Sequence, residues 1–277
     1  MIETLRNVLQ VKGLCVKVKT DQGMVPLVHD VDLTIKSGTV HGLVGESGSG
    51  KTVTSMSLLQ LLNPKATSIE GSIRLNGREL NGLCHKEMRS IRGKEIALIM
   101  QNPMSAFSAV FTIGHQFVET IRTHTALTRK QAIELAITSM QDVNLPEPAE
   151  LMKRYPFQLS GGMLQRVMIA ITISLRPSLI IADEPTTALD MTNQLQVLRQ
   201  LNRIRSEYGT SILLISHDLS VIAEMANEVS VLQHGRIVEH SDVYRLFDEP
   251  KHDYSKQLLA TRPALMMDKQ VKELIVS

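Results

Sequence analysis

The chain has 277 residues, 43% hydrophobic and 21% charged, which excludes disordered and collagen-like classes and leaves room for one large α/β domain or one carrying a smaller insertion. Its 30 basic and 28 acidic residues give a net charge of +2 with no block of like sign, so nucleic acid is not expected as a partner. Cys15 and Cys84 are too few and too far apart for a disulfide framework or a four-ligand metal site, and neither a secretory signal nor a run approaching the roughly 20 apolar residues of a spanning helix is visible.

Residues 8–44 read as short strands. Val31, Leu33 and Ile35 alternate with polar residues, and Val40-His41-Gly42-Leu43-Val44 has the look of a buried strand ending at a glycine turn. Residues 50–62 predict a helix whose apolar face is Met56, Leu58, Leu59, Leu61 and Leu62, ended by Asn63-Pro64. A strand at 69–75 precedes the turn signal Asn76-Gly77, and 95–100 form another strand. From about 112 to 176 helical periodicity replaces strand signals, as in 129–143 with Ala132, Leu135, Ala136 and Met140. Alternation then returns: strand 178–183, helix 190–208, strand 211–216, helix 218–226 and strand 228–233. Such alternation predicts a largely parallel sheet with helices packed on it and an inserted helical segment. The tail from about 262 has no strong pattern.

Gly45, Glu46, Ser47, Gly48, Ser49, Gly50, Lys51 and Thr52 match G-x-x-x-x-G-K-[ST] between a predicted strand and a predicted helix. Glycines let the backbone wrap closely enough to aim N–H groups at phosphate oxygens, and the helix start adds partial positive charge. Lys51 is expected to reach the β- and γ-phosphates of ATP, and the Thr52 hydroxyl to ligate Mg²⁺. The apolar strand Leu179-Ile180-Ile181-Ala182 ends in Asp183-Glu184, at the sheet edge where such folds bind ligands. Taken alone, these acids could equally begin a helix before Pro185. Beside the phosphate loop, Asp183 is expected to hold Mg²⁺ and Glu184 to polarise the attacking water.

Leu159-Ser160-Gly161-Gly162-Met163-Leu164-Gln165-Arg166 sets an N-cap serine and two glycines at the start of a predicted helix 162–175, a second anion site in one chain. This segment resembles the signature motif of ABC ATPases, with Met163 where Gln is commoner. The resemblance runs from about residue 8 to 262 and implies a P-loop ABC-type ATPase fold: a mainly parallel core with an antiparallel β subdomain and an inserted α-helical subdomain. It implies a division into 1–101 and 177–262 as the two parts of the ATPase core, 102–176 as the helical subdomain and 263–277 as a tail.

Further matches give Gln101 as the glutamine that senses Mg²⁺ and water, Ala188-Leu189-Asp190 as the D-loop, and His217 as the switch histidine near the γ-phosphate. Ser160, Gly161 and Gly162 of one subunit would cover the nucleotide held by a second, homologous ATPase subunit packed head to tail. Two membrane permeases and an external substrate-binding protein are the implied partners, and the cytoplasmic membrane face the implied location. Such ATPases usually stack adenine on an aromatic residue upstream of the phosphate loop. Residues 8–44 contain no Phe, Tyr or Trp, so weaker ATP affinity or base selectivity is expected.

The stretches 99–107, 155–166 and 235–250 resemble the peptide/nickel importer branch, the first two most closely its nickel-type ATPases. The expected cargo is therefore nickel, cobalt or a metal–metallophore complex, with di- or oligopeptides as the alternative and a soluble, non-transport ATPase as a more distant one. The family's His-Pro-Tyr-Thr stretch reads His252-Asp-Tyr-Ser255, and Ser241 stands where glycine is usual; both changes are read as lying away from the nucleotide chemistry. Residues 102–122, with Met104, Phe107, Val110, Phe111 and Phe117, are expected either to meet the permease or to be core of the helical segment.

Overall fold

The computed structural model describes residues 6–21, 23–187 and 191–260. Its elements begin with β1 (Asn7–Thr20), β2 (Gly23–Lys36), β3 (Val40–Val44), α1 (Lys51–Leu58), β4 (Thr67–Leu75), β5 (Arg78–Glu79), α2 (His85–Ile91) and β6 (Ile96–Ile99). A helical run follows: α3 (Ile113–His124), α4 (Arg129–Asp142), α5 (Pro148–Leu151) and α6 (Gly161–Ser174). The chain then returns to alternation through β7 (Leu179–Asp183), α7 (Met191–Tyr208), β8 (Ser211–Ser216), α8 (Leu219–Met225), β9 (Glu228–Gln233), β10 (Arg236–Asp242), α9 (Val243–Asp248) and α10 (Asp253–Ala260).

Two sheets result. One is antiparallel in the order β2-β1-β4-β5, and the other runs β10-β9-β3-β8-β7-β6 with every pairing parallel except β10 to β9. The larger sheet is covered on both faces. Leu43, Ile181, Leu213 and Ile215 share a core with Leu9, Leu14 and Ile35 of the antiparallel sheet. Val44, Ile180, Ala182 and Leu214 point the other way, into a core with Phe117, Leu164, Ile169 and Leu198 of the helices. Burial on both faces is why β7 reads as an unbroken apolar run rather than an alternating one. Asn76 and Gly77 both take positive φ between β4 and β5, as a type I′ hairpin turn requires.

One predicted element is shorter than expected. The helix foreseen at 50–62 stops at Leu58, because Gln60 adopts φ +49° and the chain closes with Gln60 N–H on Ser57 O and Leu61 N–H on Met56 O. That is a Schellman ending with glutamine in the position glycine usually takes. Distant groups hold it: the Arg92 guanidinium donates to the carbonyls of Leu59 (2.7 Å) and Gln60 (2.6 Å), and the Gln60 side chain donates to Leu80 O. The predicted apolar face holds in part: Leu58 and Leu59 are buried in the core, but Leu61 is 47% exposed and the hydroxyl residues Thr54, Ser55 and Ser57 are buried instead. Those hydroxyls bond back to the carbonyls of Gly50, Thr52 and Val53, so burying them leaves no donor unpaired.

The two readings of the 102–122 segment divide by residue. Phe117 is fully buried and Phe107 partly so, whereas Met104, Val110 and Phe111 are exposed, with Tyr155 and Phe157 exposed on a neighbouring loop. The neighbourhood follows from Ile113 N–H donating to Arg154 O and Gly114 N–H to Met152 O. Phe117→Ala should therefore cost about 3–5 kcal/mol of stability, as for other fully buried aromatics, while Phe111→Ala stays within about 0.5 kcal/mol. Urea unfolding of both variants checks this.

Candidate nucleotide site

Parallel pairing puts the carboxyl ends of β3, β8, β7 and β6 along one edge, so the residues that follow them converge. After β3 comes the 45–52 loop, after β6 Gln101, after β7 Glu184, and after β8 His217. A cleft of about 390 Å³ at this edge is lined by Leu27, Ser47, Gly48, Gly50, Lys51, Thr52, Val53, Gln101 and Glu184.

The loop is shaped by its neighbours. A Cβ on Gly45 would lie 2.2 Å from Leu232 O and 2.7 Å from Ser49 Oγ, so only glycine fits there. Gly50, at φ +107°, opens α1, whose first amides have no side-chain cap. By contrast α3, α4, α6 and α8 are capped by Thr112, Thr128, Ser160 and Asp218. The α1 amides and the helix dipole are thus left to an external anion. Lys51 is 6% exposed, and its ammonium donates to Gly45 O (2.7 Å) and Glu46 O (2.8 Å). Burial lowers its pKa, while Glu184, Asp183 and Glu46 pull the other way.

The acids carry opposing demands. Asp183 is 8% exposed; burial and then the charge of Glu184 raise its pKa, with Thr52, Lys51 and Ser55 offsetting part of the rise. Glu184 is held from three directions. Gln101 Nε2 and Thr187 Oγ1 each donate to its Oε2 at 2.9 Å, and His217 Nδ1 lies 3.0 Å from its Oε1. Its backbone is left-handed, φ +48°, at a cost of about 1–2 kcal/mol, and its N–H donates to Ile215 O at 2.9 Å. A non-glycine residue in that conformation at the end of a buried strand aims its carboxylate into the cleft.

Of the residues singled out from sequence, the 45–52 loop, Gln101, Asp183, Glu184 and His217 are brought together. Ser160, Gly161 and Gly162 are not in this cleft: they open α6, with Ser160 and Gly161 exposed and Ser160 Oγ accepting from Met163 N–H at 3.3 Å. Asp190, with Ala188 and Leu189, and the tail 263–277 lie outside the described residues. Three contributors went unread. Thr187 anchors Glu184, and Leu27 brings an apolar side chain to the cleft from β2, where no aromatic stands. The third is Tyr254, unchanged between the two departures at Asp253 and Ser255: its hydroxyl accepts from Glu46 N–H of the loop at 2.9 Å.

The site can hold a polyanion against backbone amides and a lysine, and can set one carboxylate against a bound water. The sequence profile described as ABC transporter matches residues 28–187. A provisionally named peptide import ATP-binding protein of Brucella abortus (strain 2308) is 43% identical over 257 residues, spanning 93% of this chain and 77% of that protein. The oligopeptide transport ATP-binding protein OppD of Lactococcus lactis subsp. cremoris (strain SK11) is 40% identical over 258 residues, 93% of this chain and 76% of that one. Among solved structures, the dimeric structure of MJ0796, a bacterial ABC transporter cassette, superposes with a TM-score of 0.75 at 25% identity, covering 85% of this chain and 98% of that one.

The raised Asp183 pKa sets a sign. The folded chain binds this proton more tightly than the unfolded chain, so the penalty is absent at pH values below the ordinary carboxylate range. It grows as pH rises through that range and is complete above the raised folded value. Asp183→Asn should then raise the Tm of the nucleotide-free chain at neutral pH and flatten its rise on mild acidification, measured by thermal melts from pH 4 to 8.

Proposed function

Because this chain belongs to the ABC transporter family of ATP-binding proteins, we propose that it is the ATP-hydrolysing subunit of an importer whose cargo is peptide. The observation that carries the hydrolytic part is Glu184 fixed at the cleft mouth by Gln101, Thr187 and His217, next to a lysine and a glycine loop with uncapped amides. In this reading the loop amides and Lys51 bind the phosphates, Glu184 orients and polarises water for in-line attack, and His217 holds Glu184 while facing the γ-phosphate. Leu27 gives the base an apolar contact without ring stacking, consistent with the expected weaker adenine grip.

Thr52 hydroxyl, Asp183 carboxylate and the Gln101 carbonyl form an all-oxygen donor set of the kind Mg²⁺ prefers. Gln101 commits its amide nitrogen to Glu184, which leaves its oxygen for the cation, and the crowding that raises the Asp183 pKa is of the sign a cation relieves. Held by these residues, Mg²⁺ would supply positive charge to offset that developing on the transferred phosphoryl group.

Exposed Ser160 and Gly161, remote from this chain's own cleft, support a second ATPase subunit whose nucleotide they would cover. The dimeric state of the MJ0796 cassette fits that arrangement. Among the described residues no helix is long and apolar enough to cross a membrane, so the work would pass to permeases at the cytoplasmic face. Exposed Met104, Val110 and Phe111 offer an apolar surface for that contact. The division into core parts 1–101 and 177–262 around helical 102–176 is part of the same reading, as is an external substrate-binding protein.

On cargo, the relatives' names favour peptide over the nickel expected from segments 99–107 and 155–166. Transport by the chain reconstituted with its permeases and partner ATPase decides it: labelled oligopeptide should be taken up and competed by unlabelled peptide, while radioactive nickel is not. Nickel uptake insensitive to peptide would reverse the assignment. In the same preparation Glu184→Gln should keep MgATP affinity within about threefold and lower turnover by about 100-fold or more. Near-normal hydrolysis would remove Glu184 from its role.

A further inference from the structure

The Gly45–Glu46 peptide is gripped at both ends. Its carbonyl accepts from Lys51 Nζ at 2.7 Å, and its N–H donates to the Tyr254 hydroxyl at 2.9 Å. The two grips differ in permanence. Lys51 lines the cleft, so an arriving phosphate competes with the loop carbonyls for its ammonium, whereas Tyr254 lies outside the cleft lining and is 6% exposed in the helix-side core. Once Lys51 turns to phosphate, Tyr254 is the remaining side chain on that peptide.

Tyr254 is itself placed with care. Glu239 on β10 accepts from Lys251 N–H on one oxygen and from His252 N–H on the other, both at 2.9 Å. The His252 ring Nδ1 then accepts from Tyr254 N–H at 3.2 Å. This chain of contacts fixes the start of α10 against β10, two strands from β3, which leads into the loop. Burial pushes the Glu239 carboxyl up, but Ser255 and the two amides outweigh it and leave the pKa below its ordinary value, so the clamp stays ionised. Burial raises the Tyr254 pKa, keeping it a neutral phenol.

We propose that Tyr254 is a positioning residue for nucleotide binding, anchoring the Gly45–Glu46 peptide so that the amides beyond it keep their aim when Lys51 releases the loop. The inference rests on the reading that residues 45–52 hold the phosphates of ATP. A second group on this peptide matters because the contacts from Leu27, Leu232 and Gly235 fall around Gly45, Ser49 and Gly50, not on the carbonyl and N–H of the Gly45–Glu46 peptide.

The test is equilibrium titration of the full chain with MgATP for the wild type, Tyr254→Phe and Lys51→Ala, with hydrogen exchange over 40–50 and thermal melts without nucleotide. Tyr254→Phe keeps the buried ring and removes only the hydroxyl. The expected result is a five- to tenfold rise in Kd, about what one lost net hydrogen bond gives. Faster exchange should be confined to the loop, Tm should stay within about 2 °C, and turnover at saturating ATP within about twofold. Unchanged affinity overturns the inference, as does faster exchange spread across α10 and β10, which would make Tyr254 a packing residue. If the wild type fails to bind MgATP and Lys51→Ala matches it, the phosphate reading falls first and the inference with it.

Discussion

Two carboxylates on consecutive residues, at the end of a strand buried on both faces, are the constraint around which this fold is arranged. Asp183 and Glu184 repel, and burial sharpens the repulsion. The chain separates them by sending Glu184 into left-handed backbone, so that one acid stays by Thr52 and Lys51 and the other leaves toward Gln101, Thr187 and His217. The conformational cost is met by three side-chain contacts and a backbone bond to β8. One residue at one φ value thus turns a charge conflict into two separately placed groups, as hydrolysis requires if one acid is to hold a cation and the other to act on water.

Parallel pairing makes this possible. Only with β3, β8, β7 and β6 running the same way do four sequence-distant loops meet at one edge. The antiparallel sheet closes one face, and its strand β2 carries Leu27 into the cleft; the helices close the other face and carry Ser160 and Gly161 away from it. Division of anion-binding features between one cleft and an exposed helix start is thus a consequence of topology. It is the feature that most directly favours a two-chain site.

Much of this was legible in the sequence for a physical reason. Strands buried on both faces give unbroken apolar runs, so β3, β7 and β8 announce themselves, and the groups that follow them can be read off in order. The α6 start was legible from a local cap, Ser160. What escaped depends on long-range contacts. The end of α1 is set by Arg92, more than thirty residues on, and a buried face of small hydroxyl residues leaves no hydrophobic periodicity to find. Tyr254 stands 208 residues from the amide it binds, and nothing in the local pattern of 252–255 points there. Phe107, Phe111 and Phe117 share one stretch and one residue type, yet only their packing separates core from surface.

The resting contacts of Glu184 bear on how the two halves of a site would cooperate. Its Oε2 already accepts from Gln101 and Thr187, and its Oε1 faces His217. A carboxylate offers about four acceptor sites, so with three taken one on Oε1 is left for the water of the proposed mechanism. Gln101 follows β6, and its segment continues directly into the residues proposed to meet the permease. A pull on that segment would therefore be felt at Glu184 through a single 2.9 Å bond, without rearrangement of the sheet. The strained backbone keeps the acid aimed while its partners change. Glu184 is thus fixed by its backbone at φ +48° and tied to the 102–122 segment by the one side-chain bond from Gln101.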